Sequence, residues 1–361
     1  MFWPILLLII FIVLILLIYY LSNSFKTLYS SNIKNKYLSF ILSILPMIII
    51  FIIFGYMNTI IILFHMFIFI LFSKLIFLLI KKITNKKINE KIIIIIGLVI
   101  SIIYLGIAYY LDHHVFETTY NVTTNKDIGV DNFRILQISD SHVGTTFDGD
   151  GFNDLVTRMN NIKDIDIVVI TGDFVDDDTS KEDMIKSCEA LGRFNTKYGV
   201  YYIYGNHDKG YYNGREFNAS DLANELFKNN VVILEDEYQL ITDNIYLIGR
   251  QDAYVSNRAN IKDVVKNLDK DKYMIVLDHE PNDYQNESES EVDLVLNGHT
   301  HGGQLFPLGY VGLLLGQNDM FKGTKKINNT TFIINSGISD WAMDFKTGTK
   351  SEYTIINIKS N

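Results

Sequence analysis

The pattern of apolar positions divides the chain into two unlike parts. Up to Leu111 the residues are almost purely apolar, in four runs at 2–21, 37–57, 59–80 and 92–111. Each is long enough for a helix across a ~30 Å hydrocarbon layer, which takes about 20 residues. The first run lacks the basic leader and small-residue cleavage site of a signal peptide and reads as a retained helix. A polar, threonine-rich stretch at 112–131 then reads as a linker, with Asp112, His113 and His114 as a solvated interfacial cluster. Beyond it, apolar runs at 133–139, 166–171, 200–204, 273–277 and 292–296 predict buried strands. Amphipathic stretches at 151–162, 181–194 and 216–228 predict helices, and 286–291 reads as an acidic surface loop. This alternation predicts an α/β domain over 132–361 with covered sheets.

Charge sharpens the division. Residues 1–111 hold nine Lys, no Arg and one acid, Glu90, for a net of +8, and the remainder carries −17. Lys26, Lys34 and Lys36 lie between the first two runs, and Lys81, Lys82, Lys86, Lys87 and Lys91 between the last two; the connection near Asn58 carries no charge. The positive-inside bias places both Lys-rich loops in the cytoplasm. A multi-pass protein of the cell membrane is therefore expected, with everything after Leu111 on the extracytoplasmic face. His65 and Lys74 lie inside the third run, but Lys74 can snorkel towards Lys81, and no run pairs an acid with a base, so transport has little support. The acidic soluble part disfavours a nucleic-acid partner, which needs clustered Lys and Arg. No protein partner is identifiable. The single cysteine, Cys188, excludes an intrachain disulfide and a thiolate zinc cluster.

The chemistry lies where the strands end. Asp140-Ser141-His142 follows the first; Gly172-Asp173-Phe174-Val175-Asp176 the second; Gly205-Asn206-His207-Asp208 the third; Asp278-His279-Glu280 the fourth; and Gly298-His299-Thr300-His301-Gly302-Gly303-Gln304 the fifth. All five histidines after the linker lie in these motifs. In α/β folds the carboxyl ends of strands are where sites form. Clustered imidazole, carboxylate and amide groups without thiolate suit Mn, Fe, Zn or Co. Asp176 reads as a cap or loop brace, and Gln304 with its two glycines as pocket wall.

This ordered set resembles the calcineurin-like metallophosphoesterase superfamily from Phe133 onward. The Gly-His-Thr-His-Gly-Gly-Gln version is similar to its bacterial membrane-associated branch. The resemblance implies two packed mixed β-sheets flanked by helices, beyond a four-helix transmembrane region. It places one metal on Asp140, His142, Asp173 and His301 and another on Asp173, Asn206, His279 and His299, with Asp173 bridging. It also sets His207 facing the phosphate as proton donor, with Asp208 as a candidate to orient its ring. Two divalent ions so held can activate a hydroxide while clamping phosphoryl oxygens. The expected function is hydrolysis of a phosphodiester or phosphomonoester at the membrane. The alternative is a catalytically silent receptor or scaffold, which the intact ligand set disfavours. The apolar stretch 305–315 reads either as core or as an apolar groove beside the metals, and the groove reading favours a lipid-linked substrate.

Overall fold

The structure is a computed structural model and describes residues 2–30, 33–85, 88–210 and 214–360. The chain forms two compact units, Met1–Tyr109 and Tyr110–Asn361.

In the first unit, α1 (Phe2–Phe25) continues into a π-helical turn, Lys26–Ser30, and is followed by α2 (Lys36–Thr84) and α3 (Glu90–His113). Among the described residues three helices, not the four expected, are long and apolar enough to cross a membrane. The polar turn expected at Asn58 is helical, so the runs on either side of it belong to one element of 49 residues. Gly55 interrupts that element at φ 70° and ψ −177°, a conformation open to glycine because it lacks a Cβ. The helix folds back there. Tyr20 and Ser22 share one turn of α1, yet Tyr20 stacks edge-on against Phe67 at 5.0 Å and the Ser22 hydroxyl lies 2.7 Å from that of Ser43. On a straight helix Ser43 and Phe67 would be ~36 Å apart at 1.5 Å per residue. Lys74 does have an acid partner: its Nζ is 3.0 Å from Glu90 Oε1.

The second unit holds two six-stranded sheets. The first runs in the order β1 (Phe116–Thr124), β12 (Glu352–Ser360), β2 (Phe133–Ile138), β3 (Ile167–Thr171), β4 (Val200–Ile203), β5 (Val231–Ile233). The second runs β10 (Gly323–Ile327), β11 (Thr330–Ile334), β9 (Leu294–Asn297), β8 (Tyr273–Leu277), β7 (Ile245–Gly249), β6 (Glu237–Thr242). Both are mixed: β2, β3, β4 and β5 are mutually parallel, as are β7, β8, β9 and β11, while β12, β10 and β6 each make an antiparallel pairing.

Alternation within the strands builds the layers. Phe133, Ile135, Ile167, Val169, Tyr201 and Ile203 of the first sheet pack against Leu247, Tyr273, Ile275, Leu277, Leu294 and Leu296 of the second. The opposite face of the first sheet, with Leu136, Ile138, Val168 and Ile170, is covered by α4 (Gly149–Met159), α5 (Lys181–Leu191) and α6 (Ala219–Lys228). The outer face of the second takes α7 (Ile261–Val264) and α8 (Tyr284–Glu289). Strands buried on both faces read as unbroken apolar runs, which is why they were legible.

Two expectations are corrected. The stretch read as a linker supplies β1, which pairs in parallel with β12 along its whole length, and Asp112 is buried, its carbonyl accepting from the Ser351 hydroxyl at 2.6 Å. β-Branched Thr118, Thr119, Val122, Thr123 and Thr124 suit a half-buried edge. The acidic segment 286–291 lies mostly within α8, where Glu287 is buried beside Arg250 at 3.7 Å.

Candidate metal centre

Five parallel strands deliver their following loops to one place. From the first sheet come Asp140 and His142 after β2, Asp173 and Asp176 after β3, and Asn206, His207 and Asp208 after β4. From the second come His279 after β8 and His299 after β9, with His301 opening a 3₁₀ turn at His301–Gly303. A buried Gln137 fastens the two sheets beside the site: its amide donates to Thr171 Oγ1 at 3.0 Å and to the Asn297 carbonyl at 2.9 Å, and its Oε1 accepts from Thr354 at 2.9 Å.

The side chains form contiguous groups able to hold cations. Asp140, His142 and His301 make one; Asp173, His279 and His299 a second; His142, Asp176 and His207 a third. Asp173 lies between the first two, with Oδ2 3.0 Å from His279 Nε2 and 3.7 Å from His142 Nε2. His301 Nε2 is 3.6 Å from Asp140 Oδ1, and His299 Nδ1 is 3.0 Å from Asn206 Oδ1. The structure thus brings together all of Asp140, His142, Asp173, Asn206, His279, His299 and His301.

Far-side partners set three of the rings. His142 Nδ1 is held by Asp176 at 3.0 Å, His279 Nδ1 by the Thr171 carbonyl at 2.8 Å, and His301 Nδ1 lies 3.3 Å from both Ser339 O and Asp340 Oδ1. Such partners fix tautomer and aim the opposite nitrogen. His142 Nε2 is buried with no hydrogen-bond partner. An orphaned imidazole nitrogen among carboxylates is what a divalent cation would complete, so the residues present fit the metals.

Close approach is bought with backbone. Asp140, His142, Asp173, His299 and His301 all sit at positive φ, between 36° and 69°. Strain of this kind persists only where its surroundings over-determine it. A Cβ at Gly205 would collide with the Asp173 carboxylate and His279, and one at Gly298 with Ser139 and Asp140.

Burial pushes His299 down to about 3 and His301 to about 4, aided by neighbouring imidazoles, so both are neutral with a lone pair to offer. Burial alone would raise Asp173, but His279, His142 and His207 pull it well below the usual carboxylate range. Burial would likewise raise Asp176, yet His142 and His207 hold it low.

Asp208 is placed differently from expectation. Its carboxylate accepts backbone N–H groups of Asp173 at 2.9 Å, Phe174 at 2.8 Å, Val175 at 3.1 Å and Gly205 at 2.7 Å, stapling the loop after β3 to the loop after β4. The ring of His207 is instead held by Asp176 Oδ1, at 3.0 Å from Nδ1. Sequence reasoning missed Asp340 and Trp341, whose ring is 5.8 Å from that of His207. Their signal was the polar run Asn335-Ser336-Gly337 that ends β11, a strand terminus like the others.

Residues 133–303 match the family of calcineurin-like phosphoesterases. The chain is 31% identical over 239 residues to an uncharacterised metallophosphoesterase of Campylobacter jejuni, covering 63% of this chain and 59% of the relative. An uncharacterised metallophosphoesterase of Aquifex aeolicus is 30% identical over 66% of this chain and 90% of its own length. A Bos taurus transmembrane protein with a metallophosphoesterase domain is 28% identical over 62% of this chain and 52% of its own length. The chain therefore spans little more than half the length of the Campylobacter and bovine relatives. It belongs to the calcineurin-like metallophosphoesterase family.

Proposed function

We propose that this chain is a membrane-anchored phosphoester hydrolase that works with two divalent transition-metal ions. The observation that carries the reading is the position of Asp173 between two ligand groups, one carboxylate oxygen within 4 Å of an imidazole from each. One group is Asp140, His142 and His301 and the other His279, His299 and Asn206, both completed by Asp173. Bound ions would supply Lewis-acid activation of water and neutralise phosphoryl charge. The chain's own part is positional. Asp208 holds the two loops that carry Asp173 and Asn206, and Asp176 turns His207 so that its Nε2 faces away from the carboxylate. From there His207 can give a proton to the departing ester oxygen. The −17 of the soluble part does not oppose an anionic substrate, because charges beyond a Debye length of ~8 Å are screened.

The folded α2 crosses the membrane twice in this reading, giving four crossings with α1 and α3 and an extracytoplasmic hydrolase domain. The charge pattern supports it: Lys81 and Lys82 lie in the last turn of α2, while no charged residue adjoins the Gly55 bend in sequence.

The deciding experiment is metal analysis by plasma mass spectrometry of the purified full chain in detergent, with hydrolysis of 4-nitrophenyl phosphate and its bis ester. About two transition-metal ions per chain and metal-dependent turnover are expected. A folded, metal-free and inactive protein would overturn the reading.

A further inference from the structure

The rim of the metal centre carries an apolar helix, α9 (Leu308–Leu314), with no buried residue. We propose that α9 docks into the lipid bilayer and presents membrane-embedded phosphoesters to the metal centre. The substrate half of this inference rests on the phosphoesterase reading; the docking half does not.

The core reading of 305–315 fails on exposure. Leu314 is 86% exposed, Leu315 67% and Phe306 62%. No charged residue occurs from Gly302 to Asn318. The helix is nonetheless firmly mounted: Tyr310 packs edge-on against Phe321 at 5.0 Å, and Gly309 lies so close to Phe321 that a Cβ would collide with its ring. An aliphatic surface on a fixed support, not a frayed segment, faces outward.

What covers it follows from the chain's route. The last turn of α3, a candidate membrane span, enters the second unit where Leu111 O accepts from Ser351 N at 2.9 Å. Three residues earlier, Gly348 donates to the Gln304 carbonyl at 3.2 Å, and the adjacent Thr347 Oγ1 accepts from Phe306 N at 2.8 Å. Three residues of extended chain reach no further than ~11 Å. With the two hydrogen bonds added, Gln304 O, four residues before α9, lies within ~17 Å of Leu111 O in the last turn of α3. Lys322 donates to the Gly348 carbonyl and Lys350 lies over Phe116 at 5.1 Å, so cations flank this path. Aliphatic and aromatic side chains beside lysines suit an interface of acyl chains and phosphate headgroups. An exposed apolar surface made by one short helix and its flanking Phe306 and Leu315 is small against the ~800 Å² per partner of a stable protein interface.

A cleft of about 210 Å³ joins the helix to the metal centre, lined by His299, Thr300, Gln304, Leu308, Gly312 and Phe321. One end is a metal-ligand candidate and the other the face of α9. That shape fits a phosphoester headgroup drawn up from a bilayer that keeps the acyl chains. Water adds its oxygen to phosphorus, the ester P–O bond breaks, and the lipid alcohol leaves with a proton.

The test uses the full chain in vesicles of phosphatidylcholine and phosphatidylglycerol. Cys188 is buried, so Leu314→Cys and a control, Phe227→Cys on α6, take a nitrobenzoxadiazole label selectively. Brominated acyl chains are expected to quench the label at Leu314→Cys and not at Phe227→Cys; no quenching at Leu314→Cys would overturn docking. Hydrolysis of phosphatidic acid and phosphatidylglycerol is then compared with that of 4-nitrophenyl phosphate and its bis ester for wild type and Leu314→Asp/Leu315→Asp. At least a tenfold loss on lipid with soluble-ester turnover retained is expected, and the retained turnover shows that the variant is folded. Equal rates on lipid in both proteins would overturn the substrate class. A wild type that hydrolyses neither kind of ester while its label is quenched would overturn the phosphoesterase reading and leave docking standing.

Discussion

Asp176 and His207 are bonded through Oδ1 and Nδ1 at 3.0 Å, and the other oxygen of the same carboxylate holds His142 at the same distance. A proton-donor candidate and a metal-ligand candidate are thus oriented by one side chain. Burial alone would lower the His207 imidazole, but the Asp176 hydrogen bond and the charges of Asp173, Asp176 and Asp208 raise it above its ordinary value.

The sign of the pH dependence follows. A donor must be protonated, so turnover is expected to fall as pH rises through the raised His207 value, above 6.5. The stability linked to that proton is likewise full below 6.5 and lost as pH rises through the same raised value. Asp176→Asn removes a principal raising contribution, so the alkaline limb of kcat against pH should move to lower pH. A limb that stays in place would assign it to another group.

Loss of His207 and loss of Asp173 should separate cleanly. His207→Ala is expected to keep its metals and lose roughly 10²–10⁴-fold in kcat, the scale of a positioned proton donor. Asp173→Asn should lose both metals, because its carboxylate stands between both ligand groups. Metal counts on the two purified variants check this, and an empty His207→Ala site would cancel the division of roles.

Gly298→Ala tests the crowding behind the ligands. The added methyl would press on Ser139 and the Asp140 carboxylate. Overpacking of this kind costs about 1–3 kcal/mol. Thermal unfolding followed by circular dichroism should show a lower Tm, with weaker metal retention because Asp140 is displaced. An unchanged Tm would mean that the loop has slack.

Topology is checked by labelling intact cells. Tyr56, beside the Gly55 bend, is 66% exposed. Tyr56→Cys should react with a membrane-impermeant maleimide from outside, and Lys82→Cys only after permeabilisation. The opposite pattern would put the metal centre in the cytoplasm.

The ligand motifs were legible because each of their strands is buried on both faces and breaks abruptly into polar residues, as at Ile138 to Asp140 and Asn297 to His299. Local sequence also fixed α5, where Ser180 caps the helix by accepting from Asp183 N at 3.1 Å. What was hidden depended on distant partners. β1 looked like a linker because its partner, β12, lies more than 200 residues away, and half-buried threonines carry no strong apolar signal. Asp208 was read as a partner for the neighbouring His207, yet four backbone groups on two loops claim it, a contact that no spacing rule reveals. The fold-back of α2 was misplaced by three residues, because Asn58 looked like a turn while Gly55 had the conformational freedom to make one.

The Gln137 bridge has a consequence for how the protein would come apart. Asp140, Asp173 and Asn206 belong to one sheet and His279, His299 and His301 to the other, so the site exists only while the two layers keep their alignment. A slip of one layer over the other by a single side chain would break coordination while leaving each sheet's own ladder intact. Ion release would then report slippage between layers before any loss of strand content, and metal affinity would serve as a strain gauge for the interior.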